Sequence, residues 1–246
     1  MRPITIVLLI FLLMVPVSVS ANDAEMLVNT GDSLFNLYEY EESINYYDES
    51  LALDSMSSEA YCKLARSLNL FAELQPKEKQ LELFERAAGA AEKTVALDSL
   101  EPEGHFQLAR ALGKIALFKG VFKSVSLAKR VKKETEITLR LKPDHDGALH
   151  IIGRWRREIS RKPKFIRIPL GLGEADKKKG LPLLAEAIKL KPDVINHRLE
   201  YAISLMDSDY KSEAKDQFEV CLSLKASSPL DIKYQKKAKE CLAKLE

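Results

Sequence analysis

The chain has 246 residues, of which 46% are hydrophobic and 30% charged, and its 38 basic and 36 acidic residues leave a formal net charge of +2. Such a balance argues against nucleic acid as a partner, because phosphate binding needs a clear excess of Lys and Arg. The three widely spaced cysteines, Cys62, Cys221 and Cys241, exclude a disulfide framework.

The first 21 residues have the features of a secretory signal peptide. A short positive start, Met1–Pro3, precedes an apolar run over residues 4–17, and Val19–Ala21 has the spacing that signal peptidase accepts. We therefore expect cleavage near Ala21 and an exported chain, periplasmic or secreted, over residues 22–246. The alternative, a membrane anchor that is not cleaved, requires a longer apolar run than this one.

A short phrase recurs five times in the remaining sequence and predicts a repeat protein. Each copy has the pattern of the end of an amphipathic helix followed by a turn residue. The turn residues are Ser55, Ser99, Pro143, Pro192 and Ala226, at intervals of 44, 44, 49 and 34 residues. A period of this size predicts a stacked array, which forms an extended binding surface and rarely carries chemistry.

Each phrase is preceded by the pattern of a helix pair. In the first unit we expect a helix from Ala24 to Tyr38, a turn at Tyr40 and Glu41, and a second helix from Glu41 to Leu53. Second helices carry a small–large–small face at i, i+4 and i+7, which lets two helices approach closely. Three such faces are Ser43/Tyr47/Ser50, Gly180/Leu184/Ala187 and Ala214/Phe218/Cys221.

The first helices of the units also match one another. Tyr61–Arg66 aligns with His105–Arg110 and with Leu149–Arg154, again in steps of 44 residues. The apolar–small pair of these helices, the faces of the second helices and the closing prolines resemble the tetratricopeptide repeat (TPR) family. This resemblance covers nearly all of residues 22–246. It implies an all-α fold, a right-handed α-solenoid of about five helix pairs.

The units are longer than the 34 residues usual in TPR proteins, and we expect the extra residues near positions 70–79, 118–125 and 161–174. Gly153-Arg154-Trp155, followed by a long insertion and a Leu- and Ala-rich helix, is similar to the helical repeat domain of the regulator of microtubule dynamics proteins. This similarity implies the shape of the array. A signal peptide does not fit cytoskeletal work, so the microtubule role is not carried over.

The end of the chain has the pattern of a capping helix over residues 229–246, which an array needs to stay soluble. The residues expected to face inward are Ile232, Ala238, Cys241, Leu242 and Leu245. Because such a cap would cover the last repeat, Cys221 and Cys241 are expected to lie close together. The sequence leaves open whether they form a disulfide or remain buried thiols.

The sequence contains little that supports catalysis. It has no Gly-rich phosphate loop, no paired Cys or His spacing for zinc and no Gly-x-Ser-x-Gly elbow. We therefore expect no enzyme activity, no catalytic residue, no cofactor and no metal. Asp144-His145-Asp146 follows Pro143 at a helix start, where Asp144 or Asp146 is expected to act as an N-cap.

The strongest signal for binding is the arginine series Arg66, Arg110 and Arg154, each directly after the small residue of its first helix. In the TPR folds that the chain resembles, this position faces the concave groove. Three guanidinium groups in a row suit a partner protein or peptide that is acidic, because arginine contacts carboxylates bidentately. The alternative is an internal network in which each arginine pairs with a neighbouring acid. The same groove is expected to include Phe106, His150, Asn69, Lys114 and Arg157.

A second candidate is the insertion over residues 154–172, in which basic and apolar residues alternate. Its central residues are Arg161, Lys162, Lys164, Phe165, Ile166 and Arg167. One interpretation is a peripheral contact with an anionic membrane surface. The other is that the segment packs back onto the array and fills a gap between repeats.

Charge is separated along the chain. Residues 22–60 contain ten acids and no Lys or Arg, so the remainder of the chain is basic. Such separation favours either self-association, with the acidic first repeat of one copy against the basic middle of another, or two partners of opposite charge.

Overall fold

The computed structural model describes residues 18–245, and the predicted signal peptide lies outside this range except for residues 18–21. The described residues form helices and connecting turns, without a strand. The helices are α1 (Ser18–Asn36), α2 (Tyr40–Leu53), α3 (Ser58–Leu74), α4 (Lys77–Leu97), α5 (Pro102–Ile115), α6 (Val121–Leu141), α7 (Asp146–Ser160), α8 (Lys164–Arg167), α9 (Lys177–Leu190), α10 (Ile195–Asp207), α11 (Lys211–Ser223) and α12 (Pro229–Leu242).

These helices pack in sequential pairs. The pairs are α1 with α2, α3 with α4, α5 with α6, α7 with α9, and α10 with α11, and α12 packs on the last pair. Each pair also contacts the next pair along the chain, as expected for a stacked array. The predicted all-α solenoid of five helix pairs with a terminal helix is confirmed.

The recurring phrase produces the same helix ending in four of the five units. After α2, α4 and α6, Asp54, Asp98 and Lys142 have φ between −130° and −140° and ψ between 90° and 98°. Lys191 after α9 is similar, with φ −137° and ψ 79°. In each case the N–H of this residue donates to the carbonyl four residues earlier. Leu224 after α11 differs, with φ −67° and ψ 146°.

The boundaries of the first pair differ from the prediction. Tyr40 begins α2, and the turn consists of Leu37–Glu39 with Tyr38 at a positive φ of 65°. Tyr40 is in the helix because its side chain is buried, at 5% exposure. The extra residues of units two and three lie mainly in α4 and α6, which have 21 residues each, compared with 14 in α2.

The small–large–small faces are buried as predicted. Tyr47, Leu184 and Phe218 are each 0% exposed. The small neighbours bring the paired backbones close together, most clearly where α9 crosses α7: a Cβ on Gly180 would lie 2.7 Å from the carbonyl oxygen of Gly153. No residue larger than glycine fits there without a shift of one helix.

The face of α12 differs from the predicted one. Leu230, Ala238 and Cys241 are buried, the last two in the core that α12 shares with the last pair, but Ile232 is 65% exposed. The buried positions follow the helical period from Leu230, and Ile232, two positions later, falls on the opposite side. The inward orientation expected for Ile232 is therefore wrong, whereas that of Ala238 and Cys241 is confirmed.

The cysteines are three free, buried thiols. Burial raises the pKa of Cys62 and of Cys221 to about 12, so neither is a reactive thiolate at neutral pH. We expect the native chain to resist alkylation by iodoacetamide and the denatured chain to take up three labels. Mass spectrometry after a short exposure measures both. Rapid labelling of the native chain, or two labels missing after denaturation without reductant, would contradict this assignment.

Candidate binding cavity on the concave face

The first helices of four successive units line one cavity of about 510 Å³. They are α3, α5, α7 and α10, and the start of α12 closes the cavity on one side. The wall includes polar residues from each of these helices: Glu73, Arg110, Lys114, Arg154, Asn196 and Tyr234. We call this space the concave cavity.

Aromatic and aliphatic side chains form much of the remaining wall. Phe106, Ile151 and Trp155 lie among them, and the indole Nε1 of Trp155 donates to the carbonyl oxygen of Ala128 at 2.8 Å. Tyr40 also lines the cavity, and burial raises the pKa of its phenol to about 12. Its hydroxyl is therefore neutral at physiological pH. The cavity thus combines an apolar lining with a few fixed polar groups, as ligand sites do.

Glu73 is the centre of the first polar cluster. Its carboxylate lies 2.8 Å from Arg110 Nη2 and 2.7 Å from Lys114 Nζ. It also accepts a hydrogen bond from the hydroxyl of Tyr234 at 3.2 Å, and its main-chain carbonyl accepts from Lys233. Burial opposes the ionisation of Glu73, but Lys114 and Arg110 outweigh it and hold its pKa well below the usual range. Glu73 therefore joins α3, α5 and α12.

Glu200 on α10 is the centre of a second cluster. Arg157 Nη2 lies 2.6 Å from one oxygen of its carboxylate, and Arg154 Nη1 lies 3.4 Å from the other. Burial again opposes ionisation, but the two arginines lower the pKa of Glu200. This cluster ties α7 to α10, just as the Glu73 cluster ties α3 to α5, so each buried carboxylate links two neighbouring layers of the array.

A pair of histidines lies beside the second cluster. Nδ1 of His150 lies 3.0 Å from Nδ1 of His197, and the other ring nitrogen of His197 lies 2.8 Å from Asp146. Burial, with a contribution from His197, keeps the pKa of His150 well below its ordinary value, so its ring is neutral at pH 7. Among residues 18–245, no group of three or more His, Cys, Asp or Glu side chains is placed to hold a metal ion.

The N-cap of α7 is neither of the two aspartates expected there. The ring Nδ1 of His145 accepts the hydrogen bond from the backbone N–H of Ala148 at 3.2 Å. Asp146 is the first residue of the helix instead, and its carboxylate contacts His197. Because Nδ1 of His145 accepts this capping hydrogen bond, the lone pair of that nitrogen is not available to bind a metal ion.

Two of the three arginines of the predicted ladder line the concave cavity. Arg110 and Arg154 lie on its wall, one unit apart. Arg66 does not line it: its guanidinium stacks on the ring of Phe35 at 3.8 Å and lies 3.4 Å from Asp32. Each of the three arginines thus has a carboxylate partner on a neighbouring first helix, which is the arrangement that the sequence left as the alternative.

The other residues that the sequence predicts for the groove also fall into two groups, those that line the cavity and those that do not. Phe106, Lys114 and His150 line the cavity. Asn69 is fully buried, and its amide donates to the carbonyl and the side chain of Gln107 at 3.1 and 2.9 Å. Arg157 is 2% exposed and belongs to the Glu200 cluster. Asn69 and Arg157 therefore hold helices together rather than face a ligand.

The insertion after α7 is placed on the surface. Lys162, Lys164, Phe165 and Ile166 are exposed, whereas Arg167 is buried. Arg161 lies 2.7 Å from both Glu158 and Asp207. Between residues 18 and 245 no helix has the length and apolar character of a bilayer span.

Three polar residues of the site were missed from the sequence: Glu73, Glu200 and Tyr234. Glu73 lies seven positions after Arg66, on the same face of α3, so the helical period could have identified it. Glu200 is a charged residue on the otherwise apolar side of α10, and this position could likewise have identified it. Tyr234 has no local signal, because its contact with Glu73 joins residues 161 positions apart.

The family model described as regulator of microtubule dynamics protein 1-3 matches residues 27–246. Among curated proteins no match to the sequence was found.

Solved structures with the same fold include two bacterial repeat proteins. A thermophilic TPR protein of Thermus thermophilus superposes with a TM-score of 0.65 at 17% identity, over 89% of this chain and 99% of its own. MamA of Desulfovibrio magneticus RS-1, from residue 41 to its end, superposes with a TM-score of 0.52 at 15% identity, over 82% and 95% of the two chains. At these identities the likeness shows the TPR fold alone.

Proposed function

Because the chain belongs to the family of regulator of microtubule dynamics proteins 1-3, which here has the form of a TPR-like array, we propose that it is a non-enzymatic scaffold. Its concave cavity would bind an acidic segment of a partner protein. The observation that supports this proposal is the presence of Arg110, Lys114 and Arg154 on one cavity wall. The shape supports it as well, since stacked repeats form a long concave surface.

The positive charges on the cavity wall favour the binding of an additional anion there. Burial lowers the pKa of Lys114, Glu73 opposes this effect, and the neighbouring charges of Arg154 and Arg110 add to it. Like charges that destabilise one another in this way are relieved by a ligand carboxylate placed between them. Arg154 is the most available of the three, because its contact with Glu200 is 3.4 Å long and its side chain is 30% exposed.

We also propose that the protein acts outside the cytoplasm, as the signal-like segment before Asn22 suggests. Cleavage after Ala21 would shorten α1 by its first turn and leave the remaining array intact. An exported chain does not meet microtubules, so the role in the family description is not part of this proposal. N-terminal sequencing of the protein from its native envelope tests this point, and an intact Met1 on an internal pool would overturn it.

The groove proposal predicts a specific loss of binding. A fluorescent twelve-residue peptide rich in Glu should bind the chain, and Arg154→Ala should weaken binding by about 1–3 kcal/mol, because a hydrogen-bonded charge contact is lost. Arg154→Lys should not fully restore it, since lysine lacks the planar fork. Added salt should weaken binding in the wild type, because the cations are partly exposed. Fluorescence anisotropy measures each constant.

The matched control is Arg198→Ala. Arg198 is an arginine of the next first helix, α10, but it lies in the first turn of that helix, and its guanidinium contacts the carbonyl of Pro192 and the side chain of Gln217. It is not part of the cavity wall, so its loss should leave peptide binding unchanged. Equal weakening by both substitutions, or equal affinity for a peptide with Gln in place of Glu, would contradict the proposal.

A further inference from the structure

The insertion between α7 and α9 directs its apolar side chains to two opposite sides. Leu172 and Ala175 are buried in the main core, at 4% and 1% exposure. Phe165, Ile166 and Ile168 are 77%, 43% and 58% exposed. A segment that only filled a gap between repeats would bury both sets. The second set therefore needs another explanation.

The exposed set is held in a defined position. Arg167 lies inside the insertion, and its guanidinium donates to the carbonyl oxygens of Gly173 and Ala175. The chain then turns at Gly171, which has a φ of +69° that favours glycine. Because the inward side is fixed by these contacts, Phe165, Ile166 and Ile168 protrude from an ordered surface and need little ordering when they bind.

Four exposed lysines lie in the same segment and in the first turn of α9. Lys162, Lys164, Lys178 and Lys179 are exposed, and in the described part of the chain none of them forms an ion pair. The carboxylate of Asp176 caps α9 by accepting hydrogen bonds from the backbone N–H groups of Lys178 and Lys179. Slight burial opposes ionisation of Asp176, but these backbone bonds and the charges of Lys179 and Lys164 lower its pKa. Lys164 and Lys179 therefore both act on the charge of Asp176.

We propose that Phe165, Ile166 and Ile168, with the exposed lysines of the same segment, form a docking surface for an anionic lipid bilayer. Three apolar side chains that protrude from a basic surface suit the boundary between acyl chains and anionic headgroups, where the former insert and the lysines meet phosphate. None of these residues lines the concave cavity. The surface is therefore separate from the proposed peptide site.

A second copy of the chain is a less suitable occupant. Its acidic first repeat offers complementary charge, but the shallow hollow there is lined mainly by polar side chains. They are Asn22, Glu25, Asn29, Thr30 and Ser33, with Met26 as the single apolar member. Protruding side chains need an apolar pocket on a protein partner, whereas a bilayer accepts them in any arrangement.

The test measures the insertion of the docking surface into a bilayer with a fluorophore attached at position 166. Because the three native cysteines are buried, Ile166→Cys can be labelled selectively with the environment-sensitive fluorophore NBD in the full chain. The labelled protein is titrated with vesicles of phosphatidylcholine alone and of an equal mixture of phosphatidylcholine and phosphatidylglycerol. The control carries the label at Ile232→Cys, an apolar position on α12 that is more exposed than Ile166.

We expect a blue shift of NBD emission at position 166 with anionic vesicles only, and no shift at position 232. Lys162→Gln with Lys164→Gln should raise the lipid concentration at half-titration about 30-fold, since each lysine near an anionic surface contributes about a fivefold effect. The same double change at Lys236 and Lys239 of α12 should have no effect at position 166. An equal response to neutral vesicles, equal shifts at both labels, or a shift caused by added protein without lipid would overturn the proposal.

Discussion

Phe218→Ala is expected to lower the free energy of unfolding by about 3–5 kcal/mol. Phe218 is 0% exposed and packs in the cluster formed by α10, α11 and α12. Its small neighbours on the same face, Ala214 and Cys221, are also fully buried. They cannot move into the space of the lost ring, because they already contact the paired helix. Urea denaturation followed by circular dichroism at 222 nm measures the loss.

The control for this prediction is Ile232→Ala. Ile232 is a large apolar residue on the neighbouring α12, but it is 65% exposed. Its truncation should change stability by no more than about 0.5 kcal/mol, as is usual for surface positions. A loss below about 1 kcal/mol for Phe218→Ala would mean that Phe218 is not in the core, and a large loss for Ile232→Ala would mean that α12 packs through a different face.

The contrast between these two residues explains which parts of the fold could be predicted. The burial of Phe218 follows from a pattern within eight residues, because its small neighbours lie on the same helix face. The face of α12 has no repeat to compare with, and Ile232 and Leu230 are both apolar. Which of them is buried depends on how α12 meets α10 and α11, and this is a property of the tertiary structure.

The residues of the concave cavity could likewise be predicted from the sequence only in part. The repeat period located Arg110 and Arg154, because a residue at a fixed place in each unit has a fixed orientation in the array. Arg66 departs from this rule because α1 supplies Phe35 and Asp32 as partners. The period could not reveal the contribution of α12, since Tyr234 reaches Glu73 only when the array curves far enough to bring its last helix to α3.

Glu73→Gln is expected to cost about 3 kcal/mol of unfolding free energy at pH 7. The substitution keeps the volume of the side chain but removes its charge, so Arg110 and Lys114 lose their common counter-ion at a largely buried site. Removing one partner of a buried ion pair costs about 3–5 kcal/mol, because the remaining charge is left without compensation. The control is Glu219→Gln: this residue forms an exposed pair with Lys215 at 3.9 Å, and such pairs contribute about 0–1 kcal/mol.

The pH dependence of the unfolding free energy shows whether Glu73 stabilises the fold through its charge or through the hydrogen bonds of its oxygens. The pKa of Glu73 is lower in the folded chain than its ordinary value of 4.5, so its contribution to stability is fully present above that pH. It is lost as the pH falls below 4.5 through the folded pKa, because in that range the unfolded chain binds a proton at this carboxyl and the folded chain does not. The difference in stability between wild type and Glu73→Gln should therefore shrink as the pH is lowered, and denaturation curves between pH 7 and the acid limit measure it. A difference that stays constant down to that limit would mean that the hydrogen bonds of the Glu73 oxygens, and not the charge of its carboxylate, hold α3, α5 and α12 together.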